Sequence, residues 1–176
     1  MKYVALLRGI NVGGNAIIKM ADLKAAFEKG GYKNVITYIQ SGNVIFESEK
    51  DSKKISKDLE EMLTRTFGYS AKVVVVSHDQ INKVLENVPD EWKKEQDLRC
   101  YIAFAREPVT SNDVLKEIKL TEGVDFVKIE KGVLYMSTVM SGLTKSGFAR
   151  LIGKKIYKEI TMRNYNTSQK ILKLME

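Results

Sequence analysis

Arg8-Gly9-Ile10-Asn11-Val12-Gly13-Gly14 and Gln40-Ser41-Gly42-Asn43 are two stretches of this 176-residue chain where glycine and polar donors crowd together. Glycine admits positive φ, so several backbone N–H groups in such a stretch can turn toward one point and hold an anion. A helix opening beyond the first stretch would add its own N–H groups, and Arg8 stands at the base. The competing account is a plain glycine turn that reverses the chain into that helix. Two nucleotide motifs fail here. Gly9 and Gly14 have Walker spacing, but Asn15 and Ala16 follow, so the phosphate lysine and the magnesium hydroxyl are missing. No Gly-x-Gly-x-x-Gly occurs either.

Two later segments carry similar chemistry. Leu143-Thr144-Lys145-Ser146-Gly147-Phe148 sets hydroxyls and a lysine near a helix start, which suits either a phosphate grip or an ordinary cap. Arg163-Asn164-Tyr165-Asn166 packs donors into a short connection, with Asn166 placed to cap the last helix. Both fall in a basic tail. From Ser141 to Glu176, eight basic residues against two acidic ones carry six of the seven net positive charges. Such a tail favours an anionic partner, although a solvated lysine-rich face gives the same bias.

Other chemistries lack their residues. His78 is the single histidine and Cys100 the single cysteine, so a multi-histidine metal site and an intramolecular disulfide are both excluded. A Ser-His-Asp nucleophile using His78 with Asp79 beside it lacks a nucleophile elbow, and such triads are assembled by geometry instead of adjacency. Cys100 lies in an apolar run and reads as core; Trp92, in a polar linker, reads as the cover of a domain junction. No metal and no cofactor is expected. With no apolar run near the roughly 20 residues of a membrane span, and no signal segment, a cytoplasmic protein without membrane contact is expected.

The elements that would position these stretches follow from periodicity. Tyr3 to Arg8 reads as a strand. Met20, Leu23 and Phe27 mark a helix ended by Gly30 and Gly31. Val35 to Ile39 and Val44 to Phe46 form a hairpin about the second stretch, Ile55 to Phe67 a helix stopped by Gly68, and Val73 to Val76 a strand. In this β-α-β-β-α-β order the first strand runs against the third, so the loop after the first and the turn before the third share an edge. A capping box, Ser77 with Gln80, opens a linking helix, and the polar run Asp90 to Asp97 is the best boundary. Beyond it come a strand to Ala105, a helix boxed by Thr110 and Asp113, and a hairpin about Lys131 and Gly132. A helix through Phe148, Leu151, Ile152 and Ile156, a short strand and a terminal helix follow. The fold expected is α+β: two ferredoxin-like halves with antiparallel sheets over 1–77 and 99–176, joined by 78–98, and a C-terminal helix. The second half repeats the first in order, without matching residues.

Leu6 to Gly14, Tyr38-Ile39-Gln40-Ser41-Gly42-Asn43-Val44, and Leu143 to Ser146 with Arg163 to Thr167 together resemble the signatures of a bacterial family catalogued as domain of unknown function 1697. The resemblance spans nearly the whole chain and implies a two-part α+β fold built from ferredoxin-like units, and no activity. Lys145 and Tyr165 stand where arginine and tryptophan are expected in that family; a lysine keeps the charge and loses the bidentate geometry. The leading expectation is a binding protein rather than an enzyme, taking nucleic acid or a phosphorylated small molecule. Its donors are Arg8, Asn11, Gly13, Gly14, Gln40, Ser41, Asn43, Lys145, Ser146, Arg163, Asn164 and Asn166, converging in one basic hollow. Positioned acids are scarce among these loops, which disfavours proton-transfer catalysis. The alternatives are an enzyme acting on a phosphate- or carboxylate-bearing small molecule and a protein interaction module. A monomer or weak homodimer is expected.

Overall fold

The apolar run near the N-terminus forms β1 (Lys2–Leu7), central in a four-stranded antiparallel sheet of order β2-β3-β1-β4, with β2 at Lys33–Tyr38, β3 at Asn43–Glu47 and β4 at Val73–Ser77. Tyr3 pairs with Phe46 and Leu6 with Asn43 on one side, and Tyr3 with Ser77 and Leu7 with Val73 on the other. The computed structural model describes residues 1–13, 16–94 and 97–176. It divides into two units, one of Met1–Lys83 with Gln169–Glu176 and one of Val84–Ser168. That division falls inside helix α3 (His78–Glu86), and the later part of α6 (Tyr165–Met175) counts with the first unit. The boundary drawn from the polar run lies further on, where α4 (Glu91–Lys94) forms.

In the first unit α1 (Met20–Lys29) and α2 (Ser52–Phe67) cover one face of the sheet. α1 buries Leu23 and Phe27, and α2 buries Ile55, Leu59 and Leu63, the i, i+4 spacings that the periodicity predicts. Asp51 caps α2 by accepting from the backbone of Lys53 and Lys54, and Gly68 ends it at φ 69°. Between helices and sheet, Phe27, Tyr32 and Phe46 pack ring against ring with centroids 4.8 to 5.6 Å apart. Each such ring fully buried stabilises by about 2 kcal/mol.

The second unit repeats the sheet. β5 (Leu98–Ala105) lies between β7 (Val133–Val139) and β8 (Ile160–Asn164), with β6 (Asp125–Glu130) at the edge, giving the order β6-β7-β5-β8. α5 (Ser111–Glu117) carries the expected capping box, Thr110 with Asp113. The helix expected through Phe148 and Ile156 does not form. Three 3-10 turns, Met140–Lys145, Gly147–Leu151 and Lys155–Glu159, cross there instead. The reason is close approach. A Cβ on Gly147 would sit 1.6 Å from the Lys119 carbonyl oxygen, and one on Gly142 2.7 Å from Val124. The chain must hug the α5–β6 connection, and glycines placed for that purpose weaken a continuous helix by about 1 kcal/mol each.

Candidate functional site

The end of the first sheet is assembled from β1, the β2–β3 turn and the α2–β4 connection. The backbone of Leu7 donates to Gly42 O at 2.8 Å and that of Arg8 donates to Lys72 O at 3.0 Å. Asn11 then stitches loop to turn: its Nδ2 donates to Ile18 O (2.9 Å) and Gln40 O (3.0 Å), while its Oδ1 accepts from the Ile18 backbone (2.8 Å). Asn11 itself takes positive φ, 53°, which asparagine tolerates better than most residues. Gly42 is required where it stands. At φ 79° a Cβ there would lie 2.8 Å from both Ile10 Cδ1 and Leu7 Cβ. Asn43, fully buried at the start of β3, donates from Nδ2 to Tyr38 O (3.0 Å) and Ser41 Oγ (3.2 Å), which closes the turn.

The expected meeting of the Gly9–Lys19 loop with the Gln40–Asn43 turn is therefore present in the first unit. Asn11 is bonded to Gln40 and Asn43 to Ser41, with Arg8 bonded to Lys72 on the neighbouring strand; Gly13 belongs to the same loop, and Gly14 lies outside the described residues. Asn11 and Asn43 spend their amides on the protein and act by shaping the end. Arg8, Lys19 and Lys72 are the charged residues of the segments that meet there, and residues 8–13, 16–19, 39–43 and 68–72 hold no Asp or Glu. Glu60 reaches toward this end from α2, where the Val73 backbone donates to it at 2.9 Å.

In the second unit the predicted residues gather where β5 begins. Ser146 donates to Asp125 Oδ1 at 2.6 Å and accepts from the Phe148 backbone, so it is a cap engaged in structure. Asp125 is the organising residue. Its carboxylate also accepts from the backbones of Thr121 (2.9 Å) and Gly147 (2.7 Å) and from Thr138 Oγ1 (3.0 Å). Burial alone would raise its pKa, but these four donors together hold it below the ordinary value. Thr121 Oγ1 adds a bond to Lys145 O, so the Lys145 backbone is fixed while the residue is exposed.

Arg163 is buried on β8, where Nη1 donates to Met162 O (2.9 Å) and Thr161 Oγ1 (3.2 Å). Desolvation lowers its pKa to about 10, so it stays charged at neutral pH. Asn164, opposite Tyr101 in the sheet, accepts from the Asn166 backbone and caps α6. Asn166 is thus a first-turn residue and not the expected cap. Lys145 and Ser146 belong to the β6–β7 side of this end, and Asn164 sits on the edge strand β8. Trp92 packs edge-on against Tyr135 and Tyr165, within its own unit. Cys100 is buried, as its apolar run implied. His78 Nδ1 lies 3.2 Å from its neighbour Asp79. Among the described residues no three metal-ligating side chains cluster, and no helix is long and apolar enough to cross a membrane.

Register also reveals residues that reading along the chain missed. The Ala105 backbone donates to Gly132 O at 2.9 Å and the Arg106 backbone to Glu159 O at 2.8 Å, bond for bond as Leu7 to Gly42 and Arg8 to Lys72. Gly132, at φ 76°, matches Gly42. The halves therefore do share residues: Arg8 corresponds to Arg106 and Gly42 to Gly132. Their difference is Lys72 against Glu159. Arg106 Nη1 lies 3.1 Å from Glu159 Oε2 in a partly buried ion pair, whereas the matching end of the first sheet sets lysine beside arginine. A hint existed in the arginines that close two apolar runs, but Lys72 and Glu159 become equivalent only through strand pairing.

The family described as Protein of unknown function (DUF1697) matches residues 1–135, which takes in the first two signatures and stops before Leu143. The solved structure of the conserved bacterial protein SP0830 from Streptococcus pneumoniae is similar over 99% of this chain and 98% of its own, with 25% identity and a TM-score of 0.86. No curated protein matches.

Proposed function

This chain belongs to the family described as Protein of unknown function (DUF1697), which brings no activity with it, so from the residues themselves we propose that the protein binds an anionic ligand at the β1 end of its first sheet. One observation carries the reading: the backbone hydrogen bond from Arg8 to Lys72 O sets two basic residues on adjacent strand ends, next to a loop whose glycines take positive φ. Two cations on adjacent strand ends raise the local potential, and a bound phosphate lowers it. Glycines at positive φ, Gly9 (71°) and Gly13 (62°), supply the backbone freedom that lets N–H groups converge on an oxyanion. Arg8 and Gln40 are the side-chain donors in this account, Ser41 and Gly13 contribute from turn and loop, and Asn11 and Asn43 hold the frame. Lys145, Ser146, Arg163, Asn164 and Asn166 are proposed as a second set belonging to the other unit, with Lys145 as its exposed cation.

The ligand class is a nucleic acid or a phosphorylated small molecule, met in the cytoplasm by a monomer or weak dimer. Binding of pyrophosphate and of a single-stranded oligonucleotide to the full chain tests this. Lys72→Glu imports the second half's ion pair and is expected to weaken binding roughly 10- to 100-fold, the range for a lost charged hydrogen bond. Oligonucleotide affinity should fall with salt by about 0.7 on a log-log plot per phosphate neutralised. Unchanged affinity in both Lys72→Glu and Arg8→Gln, or no anion binding at low salt, overturns the proposal.

A further inference from the structure

We infer that Arg99 and Tyr101 on β5 form a platform on which the base of a nucleotide, free or within a single strand, is stacked. The reading concerns the second unit and does not depend on the end of the first sheet. Arg99 and Tyr101 alternate along β5 with the buried Cys100 and Ile102, so they stand on the other face of the strand. Arg99 is exposed and Tyr101 partly so. Arg99 Nε donates to Tyr101 Oη at 2.7 Å, and the guanidinium carbon lies 5.4 Å from the ring centroid. That bond fixes the guanidinium against the phenol, and its two Nη groups make no hydrogen bond among the described residues. The acid in the same row is spent elsewhere. Asp125, Thr138 and Arg99 follow one another across β6, β7 and β5, and each Asp125 carboxylate oxygen already accepts two hydrogen bonds.

The equivalent tyrosine of the first half has a different fate. Tyr3 holds the position of Tyr101, since Leu7 and Ala105, four residues on from each, donate to Gly42 and Gly132. Tyr3 is buried, stacks on Phe46 at 5.9 Å and donates its hydroxyl to Lys50 O, just before the Asp51 cap of α2. In the second half a 3-10 turn follows β7 in place of that helix, Met136 takes the place of Phe46, and Tyr101 lies outside the apolar cluster of Ala103, Leu134 and Met136. A tyrosine left at the margin of a sheet face, with a guanidinium held to it, is a flat cationic π surface of the kind on which unpaired bases stack. A carboxylate alone would satisfy Arg99 and leave the ring uncovered, whereas a base covers both. Asn164 stands directly across from Tyr101 on β8. Its Oδ1 accepts from the Asn166 backbone, and its Nδ2 makes no hydrogen bond among the described residues, which leaves a donor for an acceptor on the base edge.

The test titrates AMP, ribose 5-phosphate and a short single-stranded oligonucleotide into the full chain by calorimetry, with Tyr101→Leu and Arg99→Ser variants whose fold is checked by circular dichroism. AMP is expected to bind about tenfold tighter than ribose 5-phosphate, the ratio that one stacked base gives. Tyr101→Leu should bring AMP down to the level of ribose 5-phosphate, and Arg99→Ser should weaken AMP about tenfold. Because Arg99 is exposed, its serine variant keeps the test decisive if Tyr101→Leu fails to fold. A strand bound no tighter than AMP identifies the mononucleotide as the source of the base, and a strand bound more tightly that loses the same factor in Tyr101→Leu identifies a single strand; either result upholds the platform. Equal affinity for AMP and ribose 5-phosphate, an affinity for AMP that either folded variant leaves unchanged, or no binding of AMP or the strand at millimolar concentration overturns it. The anion reading of the first sheet end is judged by pyrophosphate binding to Lys72→Glu and stands or falls separately.

Discussion

Where β1 ends, Arg8 is joined through its backbone to Lys72; where β5 ends, Arg106 is joined the same way to Glu159. The glycine turn beside each is likewise equivalent, Gly42 against Gly132. Backbone geometry at a strand end is set by ladder hydrogen bonds and by positive φ, and these constrain only a few residue types. Charge at the neighbouring position is free to vary. One half uses that freedom to set Glu159 beside Arg106 in an ion pair, and the other sets Lys72 beside Arg8. The halves differ again where α2 in the first unit gives way to three 3-10 turns in the second, the first two joined by Asp125 through Ser146 and Gly147. One strand order thus accommodates either an acidic or a basic residue beside the arginine that follows its central strand.

The largest effect should come from the glycines. Gly147→Ala must push the Lys119 carbonyl aside and is expected to cost about 3 kcal/mol, the upper part of the range for overpacking. Gly42→Ala, which meets the Ile10 side chain and the Leu7 Cβ and adds φ strain, should cost about 2 kcal/mol. Denaturant unfolding checks both, with Gly153→Ala as a control whose Cβ meets nothing within 4 Å. A cost for Gly147→Ala no greater than the control would show that the clasped turns are not as tightly set as described.

A smaller effect concerns pH. The Asp125 carboxyl is held below its ordinary value by Ser146, Thr121, Gly147 and Thr138 in spite of burial. Its folded pKa is lowered, so its contribution is complete above the ordinary carboxylate range near pH 4 and disappears as pH falls through the folded value. The second unit should therefore lose stability on acidification below about pH 4, and Asp125→Asn should flatten that part of the profile. Hydrogen exchange resolved by residue separates the units. Acid loss that is the same in the variant and the wild type would remove Asp125 from the account.

Much of the first unit was legible in residues. Leu23, Phe27, Ile55, Leu59 and Leu63 announce their helices by spacing, Gly68 announces a stop, and Gly42 between two β-branched runs announces the hairpin whose turn meets the loop after β1. The second unit was less legible because its decisive contacts join distant residues. Asp125 lies 21 residues before Ser146, and nothing local marks it as the acceptor that organises that segment. Leu151 and Ile156 sit at spacings a helix would also use, and the glycine contacts that forbid the helix involve Lys119 and Val124. Asn164 and Asn166 are both sound caps by type, so geometry alone selects Asn164. The Lys72–Glu159 contrast needed strand register, since the two residues follow unrelated neighbours in the chain.

Backbone amide NMR during a pyrophosphate titration tests the contrast between the two sheet ends most directly. Saturable shifts are expected at Arg8, Gly9, Asn11, Gly13, Gln40, Ser41 and Lys72, with none at Arg106, Gly132 and Glu159. Equal shifts at both ends, or none at the first, would contradict the account.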